Sequence, residues 1–110
     1  MNRRAVDAVD HEIAKEKAEA LGLTGKRLED ALRELRELDA RRAAPPQLAD
    51  ADTDAEAARR RAELVAKAAE RLTSLLVQRE AQGLRDQQYV FKFYSVPAEV
   101  VARLGVRASS

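Results

Sequence analysis

The 110-residue chain has no cysteine, so it can build no disulfide framework, no thiolate metal site and no cysteine nucleophile. It has one histidine. His11-Glu12 has the form of the first half of a zinc-protease motif, but the position where a second ligand belongs is Lys15. None of the 19 acidic residues stands in a Glu-x-x-His pair of the kind a di-iron bundle uses. A glycine-rich phosphate loop and a Gly-x-Ser-x-Gly elbow are also missing. So many acids on helices make chance pairs unavoidable, and the pattern singles out none of them. The expectation is no catalytic residue, no cofactor and no metal.

Neither sign of charge dominates. Twenty basic side chains face 19 acidic ones, for a net charge of +1, which argues against a strongly basic nucleic-acid protein. No uncharged stretch approaches the ~20 residues that a membrane helix needs. The opening Met-Asn-Arg-Arg looks like a basic n-region, yet Asp7 and Asp10 stand where an apolar h-region would follow. The chain reads as soluble, cytoplasmic and without membrane partners.

Helix breakers are few, with 4 Gly and 3 Pro, while Ala, Leu, Arg and Glu dominate. Apolar types make up 45% of the chain, but 22 of those residues are Ala, so any core is lean. The breakers divide the chain into an all-α domain with four parts: a helical hairpin over 1–42, a Pro-containing acidic loop over 43–53, one long helix over 54–82, and a C-terminal pair of short helices within 83–110.

In the hairpin, Val6, Val9, Ile13, Ala20 and Leu21 form a thin stripe on the first arm, which Gly22 is placed to end in a left-handed conformation. Thr24 can cap the second arm, where Leu28, Leu32, Leu35 and Leu38, with Ala31, make a clean apolar stripe. Glu29-Arg33, Arg33-Glu37 and Glu37-Arg41 are opposite charges at i,i+4, each worth about 0.2–0.5 kcal/mol. In the acidic loop, Leu48 is placed to reach the core. Thr53 and Glu56 have capping-box spacing before the long helix. That helix carries Ala58, Ala62, Val65, Ala68, Leu72, Leu75 and Leu76 on one face. Its 29 residues span roughly 43 Å, against roughly 27 Å for the hairpin's second arm. The excess apolar length predicts a cover: the C-terminal segment, a second copy of the chain, or both. Arg59, Arg60 and Arg61, the most basic cluster, read as a solvated face offset by Glu56 and Glu63, with phosphate or an acidic partner as the other reading.

All four aromatics fall within six residues: Tyr89, Phe91, Phe93 and Tyr94. Asp86 can cap a short helix there, and Pro97 can start another that ends at Gly105. A strand over 89–94 has no partner strand in the chain. The aromatics either wedge into the core or, with Leu72, Leu75 and Leu76, anchor an interface for a second copy or another protein.

Residues 87–104 also resemble a helix-turn-helix unit. Val90, Val96, Val101 and Leu104 take packing positions, and Ser95 stands at the turn position usually held by Gly. Phe91 departs from the pattern, because a small residue is usual there. The second helix, 98–104, has only Glu99 and Arg103 as charged groups. If the unit bound DNA, the expected contacts would be Arg85, Lys92, Arg103 and Arg107. Gly83-Leu84-Arg85-Asp86, residues 94–105 (Tyr-Ser-Val-Pro-Ala-Glu-Val-Val-Ala-Arg-Leu-Gly) and residues 12–22 (Glu-Ile-Ala-Lys-Glu-Lys-Ala-Glu-Ala-Leu-Gly) together resemble a family of short uncharacterised bacterial proteins. That resemblance implies no activity, cofactor or site residue. The reading is therefore a non-enzymatic helical interaction or regulatory module that self-associates, most simply as a homodimer. The alternative is a DNA-binding regulator.

Overall fold

Helix-forming residues fill the chain so densely that only two short connections interrupt the backbone between residues 51 and 108. The computed structural model describes the backbone of residues 3–43 and 51–108, and side-chain surroundings for residues 8–43 and 54–104. The elements are α1 (Arg3–Ala43), α2 (Ala51–Ala81), α3 (Gln87–Phe93) and α4 (Ala98–Ala108), and no strand occurs among the described residues. The all-α class stands.

The hairpin does not. Residues 3–43 form one uninterrupted helix of 41 residues, passing straight through Gly22, Thr24 and Gly25. A glycine inside a helix costs about 1 kcal/mol relative to alanine, which is too little to stop a helix already nucleated on both sides. Packing across this segment outweighs that cost. Thr24 is buried rather than a cap. Its hydroxyl lies 2.9 Å from the Ala20 carbonyl and 2.7 Å from Gln78 Oε1 on α2, so its one proton bonds either neighbour.

Three other boundaries move for related reasons. α2 begins at Ala51, so Thr53 lies within its first turn and is no N-cap. Asp54 in that turn suits the positive end of the helix dipole. α4 continues through Gly105 to Ala108. The connection expected over 43–53 is therefore shorter, and residues 44–50, including Leu48, lie outside the described residues.

α1 and α2 pack antiparallel. Arg61 bonds Asp39, Lys67 bonds Glu34, and Gln78 faces Thr24, so paired positions add to about 100 along the whole contact. The core joins Leu28, Ala31, Leu32, Leu35 and Leu38 of α1 to Leu64, Val65, Ala68, Ala69, Leu72 and Leu75 of α2, and Val90 and Val100 seal it from α3 and α4. The stripe read on α1 is thus complete from Leu28 to Leu38. On α2 it holds from Val65 onward, while Ala58 and Ala62 are exposed. α2 carries α1 on one side and α4 on another, so its buried face is wider than one stripe and takes in Leu64 and Ala69 as well.

α2 ends in a Schellman turn. Leu84 N–H bonds the Arg79 carbonyl at 2.9 Å, Gly83 N–H bonds the Glu80 carbonyl at 2.9 Å, and Gly83 takes φ +85°. Asp86 caps α3 as its sequence position suggests, accepting from Tyr89 N–H. α3 closes in the same way as α2: Val96 N–H reaches the Phe91 carbonyl and Ser95 N–H the Lys92 carbonyl, with Ser95 itself at φ 51°. The Pro97 carbonyl accepts from Val100 and Val101 to open α4.

Candidate interaction surface

The length mismatch read from the sequence is real but reversed. The 41 residues of α1 span roughly 61 Å and the 31 of α2 roughly 46 Å. α2 stops near Lys17, whose carbonyl accepts from the Gln82 amide at 3.4 Å. The first part of α1 extends beyond that point with none of the described residues packed beside it, and every residue from Ala8 to Ala20 is exposed. The molecule measures 73 × 31 × 20 Å with a radius of gyration of 19.1 Å. A compact chain of this length would have roughly 13 Å.

At the foot of this overhang sits the aromatic cluster, divided between core and surface. Phe91 and Tyr94 pack against the core, whereas Tyr89 is 52% and Phe93 61% exposed. The i,i+4 spacing of Tyr89 and Phe93 on α3 brings their rings into a stack with centroids 5.7 Å apart, and Phe93 meets Tyr94 edge-on at 4.9 Å. The Arg79 guanidinium lies over the Tyr89 ring at 5.3 Å. Its Nε is buried without a hydrogen-bond partner. These groups, with Leu21, Gly22 and Leu75, line a cleft of about 190 Å³ between α1 and α3. Tyr94 reaches into the angle between the helices, and its hydroxyl lies directly over Gly25, where a Cβ would overlap it. Burial, with the Glu29 carboxylate nearby, pushes the Tyr94 phenol above its ordinary pKa. Leu84, exposed at the Schellman turn, adds apolar surface at this end.

Leu72 and Leu75 are fully buried, and Leu76 packs partly buried beside them. α1 and α4 cover the apolar length of α2, so the C-terminal segment, one of the covers expected from the sequence, lies against that helix. The exposed apolar surface of α1 was read only as a thin stripe. The signal was present in Val9 and Ile13, but placing Gly22 at a helix end assigned them to a covered hairpin arm.

Of the candidate nucleic-acid contacts, Arg85, Lys92 and Arg103 are exposed, and the Arg107 side chain lies outside the described residues. α4 packs on α2 through Val100 and is tied down by its own Glu99, which accepts from Arg61. Arg61 also bonds Asp39 at 2.8 Å, joining α1, α2 and α4 through one guanidinium. That contact holds the Asp39 and Glu99 carboxyls below their ordinary pKa values and raises that of Arg61. Arg60 reaches Glu34 and Glu63, so two members of the arginine cluster pair within the fold. Arg33 pairs with Asp30 at 2.6 Å in place of the i,i+4 partners read from the sequence. His11 is exposed, and no group of three or more potential metal ligands occurs among the described residues. No helix among the described residues is long and apolar enough to cross a membrane.

A scan against models of known protein families, a search of curated proteins and a search of solved structures each find no match to this chain.

Proposed function

We propose that this chain is a small non-enzymatic helical interaction module that acts by self-association. The observation that carries this reading is the stacked pair Tyr89–Phe93, more than half exposed at the foot of a helix that has outrun its partner. Aromatics are the commonest anchors of protein interfaces, and here two of only four are held at the surface by a helix whose other face is fastened by Val90. Sedimentation equilibrium tests the reading. The wild-type chain associates in the micromolar range, and Tyr89→Ala with Phe93→Ala weakens association at least tenfold while the melting temperature of the dilute protein changes little. A strict monomer at several hundred micromolar contradicts it.

One observation favours the second reading, a DNA-binding regulator. Ser95 takes the left-handed conformation at the position where a helix-turn-helix unit usually has Gly, and four residues separate α3 from α4. Against it, the exposed face of α4 offers Arg103 as its one base-reading group within 98–104, and Glu99 is engaged by Arg61. This reading predicts a duplex-DNA mobility shift at low salt that disappears with Arg103→Ala. Unchanged mobility removes it.

A further inference from the structure

The unpartnered end of α1 carries a surface of the kind that α2 fills lower down. At 100° per residue, Ile13 falls in phase with Ala31, and Val9 within about 40° of it. Ala31 is wholly buried against α2, whereas Val9 is 54% and Ile13 44% exposed. The stripe that receives an antiparallel helix over residues 21–38 therefore continues past the end of α2 with none of the described residues packed on it.

We infer that the occupant is the same stretch of α1 from a second copy, lying antiparallel across a two-fold axis so that each overhang takes the place α2 leaves vacant beyond Ala81. This rests on the self-association reading above and specifies its surface. Three observations select a second copy. First, the overhang is self-matching in length. Residues 3–16 span about 21 Å, and a full antiparallel overlap brings the start of one helix to the foot of the other, where Leu84, Tyr89 and Phe93 are exposed. Second, charge is distributed to suit that direction. Arg3 and Arg4 against Asp7 leave residues 3–9 with a net charge of +1, while Asp10, Glu12 and Glu16 against Lys15 leave residues 10–16 with a net charge of −2. A parallel pair would set like ends together. Third, the area suffices. Val9, Ile13, Tyr89 and Phe93 leave roughly 400 Å² of apolar surface exposed per copy, which a two-fold contact uses twice. With the flanking polar residues, the total passes the roughly 1,000 Å² of a specific but weak interface.

The test uses the full chain. By sedimentation equilibrium, Ile13→Asp raises the dimer dissociation constant at least about thirtyfold, because the same side chain is lost on both sides of the axis. Val77→Asp, exposed on α2 away from the overhang, leaves the constant unchanged. Neither variant lowers the melting temperature of the dilute monomer, since neither residue belongs to the core. Since the native chain lacks thiols, a single Asp10→Cys near the middle of the overlap oxidises to a covalent dimer, while Glu37→Cys does not. If the wild type dimerises but Ile13→Asp dimerises equally well, the antiparallel overlap is wrong and the self-association reading survives through another surface. If the wild type stays monomeric, both fail.

Discussion

Gly22 and Gly25 lie three residues apart in one helix, and the structure gives them opposite roles. Nothing approaches within 4 Å of the Cβ that Gly22 lacks, so Gly22→Ala adds helix propensity without a clash. The expected gain is about 0.5–1 kcal/mol, read as a rise of a few degrees in melting temperature. At Gly25 a Cβ would overlap the Tyr94 hydroxyl and sit 3.2 Å from Cζ of the same ring. Gly25→Ala therefore tilts Tyr94 out of its seat and lowers the melting temperature. Had Gly22 ended a helix in a left-handed turn, the first substitution would destabilise. At this scale the sequence was legible where a residue's local chemistry decides its role. Asp86 caps, and Leu28, Leu32, Leu35 and Leu38 are buried. It was not legible at Gly25, because the reason for a glycine there is a tyrosine 69 positions away.

Among the elements, α4 depends on an electrostatic contact as well as on Val100. Arg61 bonds Asp39 of α1 and Glu99 of α4 at once. The folded chain holds both carboxyls below their ordinary pKa values, chiefly through hydrogen bonds from Arg61. Their contribution is therefore fully present above about pH 4.5, the ordinary glutamate value, and is lost as pH falls through the lowered folded-state values. Water screens the contact, since the Glu99 and Asp39 side chains are each 46% exposed, so the pairs together contribute about 1 kcal/mol. Arg61→Gln lowers the melting temperature by a few degrees at pH 7. The difference between variant and wild type shrinks as the pH falls below about 4.5 and through the lowered folded-state values, which thermal melts across the acid range measure directly. A difference independent of pH would show that Arg61 acts through the packing of its stem. The arginine cluster could be seen in the sequence, but its partners could not: Asp39 and Glu99 are 22 and 38 residues away, beyond any helical spacing rule.

Over the whole molecule, the all-α class and the short C-terminal pair follow from composition and caps, while the arrangement turns on whether the backbone breaks at residues 22–25. A break at the two glycines gives two short arms and places the excess length on α2. One continuous rod moves that excess to α1, carries Val9 and Ile13 clear of the bundle, and leaves Leu72 and Leu75 inside it. Local propensity cannot settle this, because two interior glycines weaken a helix by about 2 kcal/mol. That is comparable to the burial of one leucine, and the packing of Leu21, Thr24 and Leu28 on α2 lies on the other side of the balance. The absence of native cysteine makes the decisive distance measurable. Spin labels on Glu12→Cys and Arg36→Cys, diluted with unlabelled chain so that only intramolecular pairs contribute, report the separation of two exposed sites on α1. A continuous helix places those sites 24 residues apart along one axis, at about 36 Å. A distribution centred below about 20 Å would mean that the chain folds back at Gly22–Gly25, and the projecting surface would not exist.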